Sequence, residues 1–288
     1  MRGVVLALAL AAAPGPGHAQ LRVVTTSADL KSIAEAVGGA RIAAESLAAP
    51  EHDPHTLELT PAQLARARSA DLVIRVGLDH EPWFAKLGVP SRVAVLDASR
   101  NVRLLQTRTP RLRAERASHV HAFGNTHYWL DPENAVAIAA AIREALAKLR
   151  PNDAAVFETG ARAFSETVGK KTAEWRRTLA PHRGAKLVVM HDSWSYLAEA
   201  FGLQIVAAAE PHPGVPPAPG ELAELVRRMR EARVPVLIAE PHSNAALARL
   251  IASETGARVA QLHASGYDYV RSMDANVSAL AAALASAR

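Results

Sequence analysis

The chain passes twice through the same alternation of short β-rich runs and amphipathic helices, and two long helical stretches with no strand between them separate the two passes. In the first pass, residues 21–25, 42–48, 71–77 and 92–97 are predicted strands. Ser27-Ala28-Asp29 can cap a helix running through Val37, which Gly38-Gly39 ends. Thr60-Pro61-Ala62-Gln63 opens a second helix: Thr60 accepts free N–H groups, Pro61 suits the first helical position, and Gln63 completes a capping box. In the second pass the strands are 186–190, 203–208, 236–239 and 258–262. Helices over 193–201, 220–232 and 244–255 lie between them, and one over 268–287 closes the chain. Asp131-Pro132-Glu133 starts the first of the separating helices, its acidic residues matching the positive end of the helix dipole, and the second runs from 152 to about 179 before Pro181. Strand–helix–strand alternation produces parallel sheets covered by helices. The expectation is an α/β protein of two lobes, each a parallel β-sheet flanked by helices, joined by a long linking helix with a site in the interlobe cleft.

At 288 residues the chain exceeds what one core usually needs. The expected division is an N-terminal lobe over 20–150, the linking helix over 151–180 and a C-terminal lobe over 181–288. Residues 1–19 have the form of a secretory signal peptide: Arg2, an apolar run over 4–13, and small residues before a cleavage point after Ala19. That run is far shorter than the ~20 apolar residues of a membrane-spanning helix. There is no cysteine, so an exported fold must rest on its core rather than on disulfides. No lipid-bearing cysteine follows the signal, so the mature chain is expected free in the periplasm, and a metal site must use His, Asp or Glu.

The formal charge of +5 is spread over helix faces, with a loose cluster only at Arg108, Arg111, Arg113 and Arg116. Aromatic residues are 5% and do not interleave with that cluster, which argues against nucleic acid as a partner. Residues 103–127 are polar, contain Pro110 and are expected to be a long loop.

Four histidines fall where a strand or turn hands over to a helix. His55, His127, His191 and His263 are separated by 72, 64 and 72 residues. His191 follows the strand KLVVM and His263 follows RVAQL, so both leave the carboxyl end of a sheet, where ligands of open α/β folds bind. His55 lies in Asp53-Pro54-His55, and His127 lies just before the helix opened by Asp131. Histidines this remote meet only across two facing lobes. Singly each is better explained as a surface or satisfied polar residue; together they suggest a metal centre, for which neutral imidazole is the commonest side-chain ligand.

The words around these positions resemble the periplasmic solute-binding proteins of zinc and manganese ABC importers, the cluster A-I family. They are VVTTSADLKSIAEAVGG, the DPH loop, ADLVIRVGLDHEPW, THYWLDPENA, VVMHDSWSYLAEAFGL and VPVLIAEPHSNAALARLIASETGARV, covering nearly the whole mature chain. The resemblance implies that His55, His127 and His191 are metal ligands. The family usually offers an Asp as fourth ligand after the last strand; here that position reads Gln261-Leu262-His263, which favours His263 over the competing Asp268, better suited to cap the final helix. The His-rich insertion of zinc-specific members is reduced to His119 and His121.

A closed site of three or four imidazoles suits Zn²⁺, whereas Mn²⁺ prefers carboxylate oxygen. Zinc is the expected ion, with Mn²⁺ or Fe²⁺ as alternative. Glu240, Asp53 and Asp192 are candidates to orient the ligands. His52 reads as a flank of the DPH loop, His80, His182, His212 and His242 as surface residues, and Trp83, Trp129 and Trp194 as packing. The implied partners are an ABC permease and its ATPase complex at the inner membrane, with a periplasmic metallochaperone as a further candidate, for a chain expected to be monomeric. The competing class is a zinc hydrolase using Glu240 as base, although no H-E-x-x-H, G-x-S-x-G or P-loop occurs. An adhesin using metal structurally is a third reading.

Overall fold

The computed structural model describes residues 19–105, 125–210 and 215–287. Most of the expected signal peptide, His119, His121, the arginine cluster and His212 lie outside them. The first half runs β1 (Leu21–Thr25), α1 (Ala28–Gly38), β2 (Ile42–Ser46), α2 (Pro61–Ser69), β3 (Leu72–Arg75) and β4 (Ala94–Asp97). Helices α3 (Pro132–Leu149) and α4 (Ala154–Leu179) follow. The second half runs β5 (Lys186–Val189), α5 (Ser195–Phe201), β6 (Gln204–Ala208), α6 (Pro219–Ala232), β7 (Val236–Ala239), α7 (Ala245–Thr255), β8 (Arg258–Gln261) and α8 (Tyr269–Ser286).

Each half holds one four-stranded sheet, all parallel, in the orders β2-β1-β3-β4 and β6-β5-β7-β8. The strand order reverses between β1 and β3 and between β5 and β7, the places where open parallel sheets leave a crevice at their carboxyl ends.

The central strands are buried on both faces, as parallel sheets require, and the two-residue period of a strand sorts their side chains. Val23, Leu72, Ile74, Leu187, Val189, Val236 and Ile238 face a core shared by both halves, while Val24 and Val73 face α2, and Val188 and Leu237 face α6 and α7. Helices α1, α3, α4 and α8 supply the shared core, with Ile33, Ile138, Phe157 and Leu280 fully buried in it. Burying each such side chain contributes ~1.5–3 kcal/mol. The two sheets therefore pack on one helical layer.

Helix α4 belongs to that layer along its length, burying Phe157, Phe164, Val168, Trp175 and Leu179 at helical spacing. Trp175 Nε1 donates to Asp274 on α8 at 2.8 Å. Gly160 lets α4 approach the last turn of α1, where a Cβ would stand 2.3 Å from the Val37 carbonyl oxygen. The capping box at Thr60 forms as expected: Gln63 N–H donates to Thr60 Oγ1 at 3.3 Å, and Thr60 N–H to Gln63 Oε1 at 2.7 Å. None of the described helices is long and apolar enough to cross a membrane.

Candidate metal site

Three of the predicted histidines converge. His55 sits in a 3-10 turn, Pro54–Thr56, whose N-terminus is capped by the Asp53 carboxylate accepting the His55 N–H at 2.9 Å. His127 immediately precedes the 3-10 turn Tyr128–Leu130. His191 follows β5 and Met190, whose N–H donates to the Ile238 carbonyl and so extends the sheet to the edge of the crevice. One ring nitrogen from each of His55, His127 and His191 lies within 4.8 Å of the other two. The ring centres form a nearly equilateral triangle, with sides of 5.5 Å for His55–His127, 5.5 Å for His55–His191 and 5.4 Å for His127–His191. All three line one cavity between the halves, with Trp129 on the first side and Ser193 and Pro241 on the second.

The rings are oriented from behind. His55 Nδ1 pairs with the His80 carbonyl oxygen at 2.9 Å, and His127 Nδ1 with Asn125 Oδ1 at 3.2 Å. Both acceptors are carbonyls, so each Nδ1 carries the hydrogen and each Nε2 keeps a lone pair for a cation. Burial lowers the His55 pKa below 6.5 against the opposing pull of Asp53, which favours the neutral form that binds metal.

Asn125 does more than hold one ring. Its Oδ1 also accepts the His127 N–H at 2.9 Å, and its Nδ2 donates to the Asp192 carbonyl at 2.8 Å, beside His191. One buried amide thus ties a histidine of the first half to the segment carrying a histidine of the second. Tyr196 OH donates to the Asn125 carbonyl at 2.8 Å and accepts from Leu105 N–H at 3.0 Å, fixing the segment that presents it.

The structure does not bring His263 into the group. Leu262 is buried, and the alternation at the end of β8 turns His263 outward to solvent. Its main chain is held there by Asn276, which accepts from the His263 N–H at 2.9 Å and donates to its carbonyl at 2.8 Å. Asp268 is elsewhere too: it caps α8, accepting from Arg271 N–H at 3.0 Å.

Of the three candidates to orient ligands, Asp53 caps the His55 turn, and Asp192 accepts from Ser195 Oγ at 2.9 Å. Glu240 is buried and accepts from Trp194 Nε1 at 2.7 Å and Ser243 Oγ at 2.9 Å. Burial pushes its pKa up to about 7 despite those bonds. It does not line the cavity, although its neighbours Ser193 and Pro241 do.

His80 departs most from expectation. Instead of lying on the surface it is fully buried, with its ring centre 4.4 Å from that of His55 and 5.2 Å from that of His127, and Nδ1 2.8 Å from Thr126 Oγ1. The turn before it, Gly77-Leu78-Asp79, lies wholly in the left-handed region at φ 80, 56 and 58°, a costly conformation for Leu. The buried Glu81 carboxylate holds that turn, accepting from Val76 and Gly77 N–H at 2.6 and 3.0 Å and from Thr26 Oγ1. His242 is exposed as expected, and so is His52, the flank of the DPH loop; both line the cavity.

The segment after β8 closes the far side. Trp129 Nε1 donates to the Ala264 carbonyl at 2.8 Å, Tyr269 OH to the Trp129 carbonyl at 2.9 Å, and Tyr269 N–H to Ser32 Oγ at 2.9 Å. Ser265 Oγ and Gly266 N–H both donate to Asp29, which is buried on α1. Sequence reasoning missed Asn125, His80 and Asp29 as parts of this site, because nothing in their neighbourhood sets them apart from ordinary polar residues.

A family model described as the periplasmic zinc-uptake complex component A, ZnuA, matches residues 23–283. The chain is 26% identical over 299 residues to the high-affinity zinc uptake system protein ZnuA of Yersinia pestis, covering 97% of this chain and 94% of that one. It is 27% identical over 252 residues to the iron-binding protein YfeA of Yersinia pestis, covering 85% and 77%. A crystal structure of ZnuA superposes with a TM-score of 0.82 at 25% identity, over 92% of this chain and 99% of that chain.

Proposed function

The chain belongs to the family of the periplasmic component A of zinc-uptake complexes, and from that premise we propose that it binds Zn²⁺ through His55, His127 and His191 and delivers it to an ABC importer. Family membership makes it a metal-binding solute carrier of an ABC uptake system, working in a periplasmic or extracellular setting, and not an enzyme. The choice of zinc rests on one observation, the donor set: one ring nitrogen from each of three imidazoles, all within 4.8 Å of one another, with no carboxylate in the group, which suits a Zn²⁺ site. An all-nitrogen donor set also disfavours Mn²⁺, which prefers oxygen.

The iron-binding relative favours a second reading, an Fe²⁺ or Mn²⁺ carrier on the same residues. The hydrolase reading lacks its base, since Glu240 is committed to Trp194 and Ser243. We further read residues 1–19 as the export signal and the mature chain as a monomer. The test is equilibrium competition of Zn²⁺, Mn²⁺ and Fe²⁺ against a chromophoric chelator. Tight one-to-one Zn²⁺ binding that is lost in His191→Ala supports the proposal; preference for Mn²⁺ or Fe²⁺ selects the second reading.

A further inference from the structure

Three imidazoles leave one vertex of a tetrahedral ion open, and the cavity they line offers donors for it. His80 packs against His55 and His127, with ring centres 4.4 and 5.2 Å away, and does not line the cavity. The remaining donors on the lining are His52, Asp53, Ser193, His242 and Ser265. Ser265 donates to Asp29, Ser193 is bonded to the Glu240 carboxylate, and Asp53 Oδ1 caps the His55 turn, which leaves its Oδ2 as a carboxylate competitor.

We propose that His242 supplies the fourth donor to the ion held by His55, His127 and His191, an inference that rests on the metal-carrier reading and deepens it. The turn carrying His242 is fixed: Ser243 N–H donates to the Glu240 carbonyl at 3.0 Å, Glu240 N–H to Ser243 Oγ at 3.0 Å, and Ser243 Oγ to the Glu240 carboxylate at 2.9 Å. The residue is exposed rather than packed into the core. It lines the same cavity as His55, His127 and His191. Each half then contributes two ligands, His55 and His127 from the first, His191 and His242 from the second. The fourth imidazole comes from the turn after β7 rather than from position 263, where the family resemblance would place it. His52, with its N–H donated to the Ala49 carbonyl, is the competing imidazole.

The experiment uses the full mature chain and two readouts, Zn²⁺ affinity by chelator competition and the visible absorption of the Co²⁺-loaded protein, which reports the donor set. His242→Ala is expected to weaken Zn²⁺ by about 30-fold or more and to shift the Co²⁺ bands, with added imidazole restoring them. His242→Gln gives the same loss at an unchanged melting temperature. His52→Ala and His263→Ala leave both readouts as in the parent. A parent-like His242→Ala, or a loss that appears in His52→Ala or His263→Ala instead, overturns the assignment. If His191→Ala also binds as the parent does, the metal-carrier reading itself falls.

Discussion

His55 donates its Nδ1 hydrogen to the carbonyl oxygen of His80 across 2.9 Å, and this bond decides which nitrogen of His55 faces the cavity. A neutral imidazole has one N–H and one lone pair. A carbonyl can only accept, so the lone pair is left on Nε2. The acceptor belongs to the main chain, and the left-handed turn anchored by Glu81 sets its position. His127 is prepared in the same way by Asn125. Rings oriented before the ion arrives lose less freedom on binding it.

Zinc affinity should hold from about pH 8 to 7 and fall below about pH 6, where protons compete for the ring nitrogens. The His55 pKa is lowered below 6.5 by burial, so its ring stays neutral further into acid than a free imidazole. In the metal-free protein that depressed value contributes stability above about pH 6.5 that is lost as pH falls through the folded pKa. Chelator competition across this range checks the first statement. An affinity unchanged down to about pH 5 would contradict an imidazole shell.

Asn125→Ala should lower zinc affinity about 10- to 100-fold, the range for groups that orient metal ligands. The substitution frees the His127 ring and cuts the tie to Asp192, yet it keeps the backbone carbonyl that receives Tyr196 OH. The loss also leaves the His127 N–H and the Asp192 carbonyl without that partner, so stability should fall by ~1–3 kcal/mol while the dissociation constant rises. A titration of Asn125→Ala matching the parent would show that His127 is positioned by other contacts.

The alternation that predicts two parallel sheets is legible because it is local: β-rich runs such as 186–190 and the capping box at Thr60 announce themselves within a few residues. The three converging histidines were legible because each sits at a handover from strand or turn to helix. His263 shares that placement and still points away, since a side chain at a strand end has two faces to choose from, and Asn276, thirteen residues on, settles the choice. His80 was misread for the converse reason. Its burial depends on a left-handed turn held by a carboxylate from the next residue, a pairing no periodicity reveals. Asn125 and Asp29 act across the two halves, so their roles exist only once the chain has folded.

Gly160→Ala should destabilise the fold by ~1–3 kcal/mol, because the added carbon overpacks a backbone contact. In an open helix the same change would gain ~1 kcal/mol from propensity. Here the Cβ would stand 2.3 Å from the Val37 carbonyl oxygen and 2.8 Å from that of Ala36, and α1 cannot yield without moving the shared core. Urea unfolding measures the sign directly. A stabilised Gly160→Ala would mean that α1 and α4 separate easily.

Asp29 should make the fold more stable in mild acid than in mild base. Burial raises its carboxyl from 3.8 to about 7 against the bonds from Ser265 and Gly266. The folded value lies above the unfolded one, so its contribution is complete below about pH 4 and is lost as pH rises through about 7. Asp29→Asn keeps an acceptor without the charge and should lose less stability than the parent between about pH 5 and about pH 8.5; groups common to both chains cancel in the difference. Asp29→Ala leaves the Ser265 hydroxyl and Gly266 N–H without that acceptor and should cost ~1–3 kcal/mol at either pH. Because Ser265 lines the cavity, the same variant should also loosen zinc, whereas Asp29→Asn should not. If Asp29→Asn and the parent lose stability in parallel, Asp29 titrates as an ordinary carboxylate and the contact between α1 and the segment after β8 is not governed by its proton.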